Sequence, residues 1–282
     1  PTPPPPPPPP RDSIRRQRQM CIRDRLAAAF LMKQMAAPMV PVLAGVVLIR
    51  RRFSGLVNAI LGGAVVSVLL FLPFALTGRT AETFRRVLLD TEIMPFTSCN
   101  AHNFWWLIGY YWHDANAPVI WALTPKIIGL ILFGTAFVLL LVRNRRWIAD
   151  AGTEAPEYRA GIFMLSAAAA STFFFVSTHL HEHHLSMTML LLLVVAGRDR
   201  KLAWLALGCT VACFTNMVLN DLVLPYRLPM GLNASSPVIH PFLQRPFTWL
   251  QLAGSYINSG LVTIVAVSTY LAAWRMTGIS RK

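Results

Sequence analysis

Long apolar blocks separated by short basic clusters are the feature that most constrains this chain. Hydrophobic residues make up 55% of the 282 residues, and charged residues make up only 13%. A helix needs about 20 consecutive apolar residues to cross a bilayer, and several blocks reach that length. Because lipid offers no hydrogen-bond partners, the backbone of such blocks is satisfied internally, as in a helix. The sequence therefore predicts an all-α, polytopic membrane helix bundle.

We expect about seven transmembrane or re-entrant helices in residues 26–282, which form one membrane domain. One block, Leu185–Ala196, is short for a full crossing, so it is tilted, re-entrant or continued through the polar residues before it. The predicted blocks are Leu26–Ile49, Phe53–Thr77, Val119–Val142, Ala160–Thr178, Leu185–Ala196, Leu202–Leu224 and Thr248–Trp274.

Residues 1–25 differ in composition from the remainder. Pro1–Pro10 is almost pure proline, and Arg11–Arg25 is basic and not periodic. Neither part has an apolar face to bury, so we expect a disordered tail. Its MCIRD sequence resembles a translated sequencing adaptor, which suggests a non-native origin. The first block then begins at Leu26 without a starting methionine, so we expect the C-terminal part of a larger membrane protein.

The distribution of basic residues predicts the orientation in the membrane. The net charge is +14, but Lys and Arg occur in short clusters between apolar blocks, which is typical of cytoplasmic loops and argues against nucleic-acid binding. Thirteen basic residues fall on one side and five on the other, and the richer side is predicted to be cytoplasmic. The outer face then carries the outer loop Arg79–Pro118, the segment Ser177–Leu185 and the loop Pro225–Phe247. The cytoplasmic set is Arg50, Arg51, Arg52, Arg143, Arg145, Arg146, Arg159, Arg198, Arg200, Lys201, Arg275, Arg281 and Lys282, and the outer set is Arg79, Arg85, Arg86, Arg227 and Arg245.

A histidine cluster follows the fourth apolar block. It contains His179, His181, Glu182, His183 and His184, and ionisable residues at membrane depth are usually functional. Three interpretations stay open: a metal site, polar residues that solvate a helix end, and a site for an anionic lipid-linked substrate. In the third, the nearby carboxylate keeps the histidines protonated. The protease pattern HExxH is absent, and we favour the anionic substrate, with no metal and no cofactor.

The outer loop combines amides with aromatic residues. Asn100, His102 and Asn103 precede Trp105 and Trp106. Amide and imidazole groups bind sugar hydroxyls or phosphate oxygens, and aromatic rings stack on sugars. The alternative is a belt of aromatic residues at the membrane interface.

Two lysines lie in or near apolar blocks. Lys33 stands beside Gln34 in the first block and is a candidate cation for a phosphate. For Lys126, at the start of the third block, we favour a side chain that extends to the membrane surface.

Three motifs resemble those of GT-C membrane glycosyltransferases, in the bacterial mannosyltransferase-like branch. The segment Ser177–Leu185, which contains THLHEHHL, resembles the His-Glu motif of that family, and Phe96–Trp106 (FTSCNAHNFWW) resembles its Ser-x-Asn-Ala-x-Asn-x-Trp motif. Lys33 and Gln34, with Pro41, resemble its Lys-(Pro)-Gln segment. The three motifs occur in the order that the family has.

The resemblance implies transfer of a mannose-like hexose from a polyprenyl-phosphate sugar to a glycan or lipid acceptor. The reaction would take place on the outer face of a bacterial inner membrane. An acid residue in a loop upstream of Leu26 would be the general base, so the catalytic residue of this chain is unknown, and nothing assigns that role to Asp90, Glu92 or Asp114. The competing class is a transporter or flippase, although no internal repeat is visible. The predicted substrate-binding residues are His179, His181, Glu182, His183, His184, Asn100, His102, Asn103, Trp105, Lys33 and Gln34.

Overall fold

A computed structural model describes residues 37–84, 95–98, 100–150, 152, 155–223 and 249–276. All regular elements in these ranges are helices, with two isolated β-bridges beside them, so the all-α prediction is confirmed. The chain divides into two compact units, Pro1–Asp90 and Thr91–Lys282. The predicted tail at 1–25, Lys33, Gln34, Asp90, Glu92 and the loop at 225–247 lie outside the described residues.

The first unit contains helix α1, Met39–Leu76, and the short helix α2, Thr80–Phe84. Within α1, Arg52 has φ 57° and ψ −163°, so the helical geometry is interrupted at the Arg50–Arg52 cluster. The sequence predicted a boundary between two blocks at this cluster. The break at Arg52 falls at this boundary, so α1 consists of two helical parts that meet there, within an element of 38 residues.

The second unit is a bundle built around one central helix. Helix α5 is the centre: it contacts α4, α6 and α8, while α7 packs against both α6 and α8. Four consecutive alanines of α5, 167–170, are at most 3% exposed, and their small side chains allow the close approach of neighbouring helices. The elements are α3 (Phe104–Leu107), α4 (Pro125–Asp150), α5 (Pro156–Val176), a 3₁₀ helix (Glu182–Leu185), α6 (Ser186–Ala196), α7 (Arg200–Val223) and α8 (Trp249–Arg275).

Five described helices are long and apolar enough to cross a membrane, which is the pattern of an integral membrane protein. The predicted count of about seven is not confirmed. One reason is that two predicted blocks fall in α1. The other is that the 3₁₀ helix and α6 together span only Glu182–Ala196, which at about 1.5 Å per residue is shorter than a hydrocarbon core of about 30 Å.

Helix α4 begins later and ends later than predicted. Its first residue is Pro125 rather than Val119, because proline at the first helical position has a suitable φ and no N–H to satisfy. The hydroxyl of Thr124 accepts a hydrogen bond from the N–H of Ile127 and helps to cap the helix. The helix then continues past the basic cluster to Asp150, since arginine has a high helix propensity.

The basic clusters of the second unit gather at one end of its bundle. The Asn144 side chain of α4 donates to Ala273 O of α8, 3.3 Å away, and the Arg143 guanidinium lies 5.8 Å from the ring centroid of Trp274. Arg198, after α6, lies 3.9 Å from the carboxylate of Glu157 at the start of α5. The alternating direction of the helices therefore places the outer loop and the histidine cluster at the opposite end.

A close contact joins α4 to the last turn of α5. A Cβ atom on Gly129 would lie 2.5 Å from the carbonyl oxygen of Val176, whereas a Cβ on Gly134 would meet no atom within 4 Å. The absence of a side chain at Gly129 therefore sets the distance between α4 and the C-terminal end of α5.

Candidate functional site at the loop end of the bundle

The described part of the outer loop folds back on itself beside α3. Phe96 and Asp114 form an antiparallel bridge, with hydrogen bonds from Thr97 N to His113 O (2.8 Å) and from Ala115 N to Pro95 O (2.7 Å). The loop then joins the first turn of α4, because Lys126 N donates to Ala115 O at 3.2 Å. These backbone bonds join residues 95–97 to residues 113–115 and to the start of α4, and α3 lies between the joined segments.

Two predicted site residues of the loop hold the end of α5. The Asn103 side chain donates to Phe174 O (3.3 Å) and Ser177 O (3.1 Å), and its oxygen accepts from Trp105 N, which caps α3. The indole N–H of Trp105 donates to Val176 O at 3.0 Å. Asn103 is 0% exposed and Trp105 is 3% exposed, so their polar atoms already have protein partners. Contact of these two side chains with a substrate stays a prediction.

The histidine cluster begins where α5 ends. His179 has φ 61°, a left-handed conformation that is uncommon for a residue with a side chain, and its N–H donates to Phe96 O at 3.0 Å. This bond joins the cluster directly to the outer loop. The structure therefore brings together the two segments whose sequences suggested a site, and Asn100 lies half-buried in the same loop.

The remaining histidines are organised by the 3₁₀ helix. His184 Nδ1 lies 3.0 Å from the N–H nitrogen of His181 and 3.2 Å from the carbonyl oxygen of the same residue, so the ring is held against the His181 backbone. The rings of His183 and His184 stack with centroids 4.5 Å apart, and His181 stacks on His183 at 5.5 Å. Glu182 lies 3.7 Å from His183 Nδ1. The result is a stack of three half-buried imidazoles with one carboxylate beside it.

Burial keeps most of these imidazoles neutral. It lowers the pKa of His184 and of His179 to about 4, and it also lowers the pKa of His181. The charge of Glu182 raises the pKa of His181 and His184, but this effect is smaller than that of burial. For His181 and His184, burial therefore outweighs the carboxylate, contrary to the expectation that the carboxylate keeps them protonated. A bound anion would add a favourable charge and raise these pKa values.

His102 belongs to a buried polar chain that the sequence did not reveal. It is 3% exposed, and its Nδ1 lies 3.0 Å from the amide nitrogen of Asn258. That nitrogen also donates to Ala212 O, so it is a donor, Nδ1 is the acceptor, and the neutral ring is protonated on Nε2. Burial lowers the pKa of His102 to about 3, although the charge of Glu182 opposes the shift.

Asn216 joins this chain to the histidine cluster. Its oxygen accepts from His102 N (3.2 Å), and its nitrogen donates to Glu182 O (3.4 Å). Asn216 and Asn258 lie within α7 and α8, in the middle of apolar blocks, and neither was predicted as a site residue. Polar amides inside apolar blocks were the signal that could have found them.

A second group of charged residues surrounds His179. The positive charge of Lys126 lowers the pKa of His179 and the negative charge of Asp114 raises it, after the larger effect of burial. The Thr178 hydroxyl lies 2.8 Å from His179 Nδ1. The sequence suggested that Lys126 only extends to the membrane surface, whereas the structure also places its charge close enough to act on a cluster histidine.

The described side chains offer hydrogen-bonding groups rather than a metal centre. Within the described ranges, no group of three or more His, Cys, Asp or Glu residues is placed to hold a metal ion. In the same ranges, the Oε2 atom of Glu182 and the Oδ1 atom of Asn258 are buried without a hydrogen-bond partner. Unpartnered buried acceptors cost free energy unless a ligand or water satisfies them.

The fold is that of a helical integral membrane protein whose second unit has a cluster of buried polar and imidazole side chains at the end opposite the basic clusters of that unit. No protein-family model, curated protein or solved structure matches the chain.

Proposed function

We propose that this chain is part of a membrane glycosyltransferase of the GT-C type, which transfers a mannose-like hexose from a polyprenyl-phosphate donor. The acceptor is a glycan or lipid on the extracytoplasmic face of a bacterial inner membrane. The observation that carries the proposal is the direct bonding between the two motifs: His179 to Phe96, and Asn103 to Ser177. Residues that resemble separate motifs of one family thus meet at one end of a bundle of membrane-spanning length.

The chemistry of the site fits a donor whose phosphate is attached to a lipid. Neutral imidazoles donate one hydrogen bond each, and they gain charge when a phosphate approaches, which strengthens that bond. The Glu182 oxygen without a partner is an acceptor of the kind that a sugar hydroxyl needs. In this proposal, the histidine cluster binds the phosphate and Glu182 binds the sugar.

The test is donor binding in lipid nanodiscs, with sugar transfer measured on the longer protein that carries the upstream general base implied by the resemblance. With a polyprenyl-phosphate hexose as donor, His181→Ala should weaken donor use by about 10- to 100-fold, because a hydrogen bond to a charged group contributes about 1.5 to 3 kcal/mol. His113→Ala, at an exposed histidine of the loop, is the matched control and should leave donor use unchanged.

Three results would contradict the proposal. One is equal donor use by His181→Ala and the unchanged chain. Another is loss of transfer on chelation with recovery on added zinc or manganese, which would indicate a metal site. The third is movement of the intact donor across the bilayer without sugar transfer, which would indicate a flippase.

A further inference from the structure

An exposed apolar turn precedes α4 and is not part of the histidine cluster. Residues Val119–Leu123 form a tight turn, with hydrogen bonds from Val119 N to Leu123 O (2.9 Å) and from Leu123 N to Ile120 O (2.9 Å). Trp121 at its tip is 96% exposed, and Ile120 is 58% exposed. Among the large apolar side chains that the structure describes, Trp121 is the most exposed.

The backbone presents this indole in an unfavourable conformation. Trp121 has φ 55°, a left-handed value that bulky residues rarely adopt and that glycine adopts freely. Strain of this kind persists where the surroundings require it and often marks a functional position. Among the residues that the structure describes, the Trp121 side chain has almost no packing partner, so its indole is open to contact with another molecule.

The length of α4 places the turn at the edge of the membrane. Arg143 is exposed and begins the basic cluster that marks one membrane boundary. A hydrocarbon core of about 30 Å requires about 20 helical residues at about 1.5 Å each. Counting about 20 residues back from Arg143 reaches the Leu123 end of the turn. Tilting α4 would place still more of the turn within the membrane.

We propose that the Val119–Leu123 turn is a membrane anchor whose partner is the lipid interface. The Trp121 indole has an apolar body and one N–H donor, which suits the boundary between headgroups and acyl chains. Lys126, exposed at the start of α4, then lies within reach of lipid phosphates. This inference depends on the membrane-spanning length of α4 and not on the proposed sugar transfer.

The experiment measures the depth of position 121 in liposomes that contain the full chain. Native cysteines are replaced by alanine, and Trp121→Cys is labelled with an environment-sensitive nitrobenzoxadiazole group. The matched control is Asn116→Cys, an exposed polar position in the same loop. Lipids with a nitroxide near the headgroup should quench the label at 121 several-fold more than the label at 116. Aqueous iodide should show the opposite order.

Two outcomes overturn the anchor. Equal quenching by iodide at both positions would place the turn in water. Protection of position 121 from both iodide and nitroxide lipids would show that a protein, such as a second copy of this chain, covers it.

A second measurement requires no cysteine. Replacing Trp121→Phe should reduce the fraction of tryptophan fluorescence that interfacial brominated lipids quench, and an unchanged quenched fraction would also reject the anchor.

Discussion

The outer loop and the histidine cluster are bonded to each other, yet they use their polar side chains differently. In the loop, Ser98, His102 and Asn103 are at most 3% exposed, and their polar atoms bond to backbone groups or to other buried side chains. In the cluster, the rings of His181, His183 and His184 are half-buried and stack on one another. The two motifs thus have similar residue types but different contacts.

This difference predicts that the loop residues stabilise the fold and that the cluster residues bind a ligand. Loop residues that are already bonded to the protein lose free energy when they change partners, since a buried group without a partner costs about 1 to 3 kcal/mol. Half-buried imidazoles and the unpartnered Glu182 oxygen instead remain able to bind a ligand. We therefore expect substitutions in the loop to change mainly stability and substitutions in the cluster to change mainly ligand binding.

The largest expected effect is that of Asn103→Ala. The substitution removes three hydrogen bonds of a fully buried side chain and leaves the carbonyls of Phe174 and Ser177 with fewer donors. The free energy of unfolding should fall by about 2 to 4 kcal/mol. Denaturant unfolding in mild detergent measures the change. Asn116→Ala, in the same loop but exposed, should change stability by no more than about 0.5 kcal/mol.

Protonation of His102 at low pH should lower the free energy of unfolding by a somewhat smaller amount. Its pKa is lowered from 6.5 to about 3 by burial, so the unfolded chain binds a proton at a higher pH than the folded protein does. The stabilisation is therefore complete above pH 6.5 and is lost as the pH falls towards about 3. At pH 5, the loss should be of order 2 kcal/mol.

Thermal unfolding at pH 7.5 and pH 5 tests the role of His102. In His102→Asn, the amide oxygen can replace Nδ1 as acceptor for Asn258, so the difference in stability between the two pH values should shrink. In His113→Asn, an exposed position, it should stay the same. An equal loss in both variants would mean that acid acts elsewhere.

The hydrogen bonds that connect the loop to the histidine cluster should contribute less to the free energy of unfolding than those of Asn103 within the loop. Asn216→Ala removes the bonds to His102 N and Glu182 O, which at 3.2 and 3.4 Å are long. We expect a loss of about 1 to 2 kcal/mol in the free energy of unfolding. Met217→Ala, at the neighbouring exposed position, is the control. A loss as large as that of Asn103→Ala would show that both regions depend on one network.

The smallest effect concerns the charges around His179. Lys126→Gln should raise the pKa of His179 above about 4, because it removes a positive charge that disfavours the imidazolium. Asp114→Asn should lower the same pKa. Titration of ¹³C-labelled histidines by NMR measures both, with His179→Gln to assign the signal. Lys201→Gln, at the other end of the bundle, should have no effect.

Much of the fold could be predicted because hydrophobic length is a strong signal. The predicted blocks for α5, α7 and α8 agree with the structure to within about four residues, which is the usual uncertainty of such boundaries. The count of spans was less certain. The break in α1 at Arg52 agrees with the boundary predicted at the basic cluster, whereas apolar length alone does not reveal that α4 begins only at Pro125.

The site was predictable in location but not in detail. The charge distribution and the motifs placed the outer loop and the histidine cluster on one side, and the structure shows them in contact. The charge state of the histidines could not be read from the sequence, because it depends on burial. The roles of Asn216 and Asn258 depend on contacts between residues 114 and 156 positions apart, which apolar patterning does not encode.

The close contact between Gly129 and the Val176 carbonyl restricts position 129 to glycine. Any side chain there would push against the Val176 carbonyl, which is also the acceptor for the Trp105 indole. A side chain at position 129 of α4 would therefore disturb the hydrogen bond between Trp105 and Val176. Position 129 itself lies in none of the three motifs. Among related sequences, position 129 should stay glycine while position 134, one and a half turns later and open, should drift freely among apolar residues.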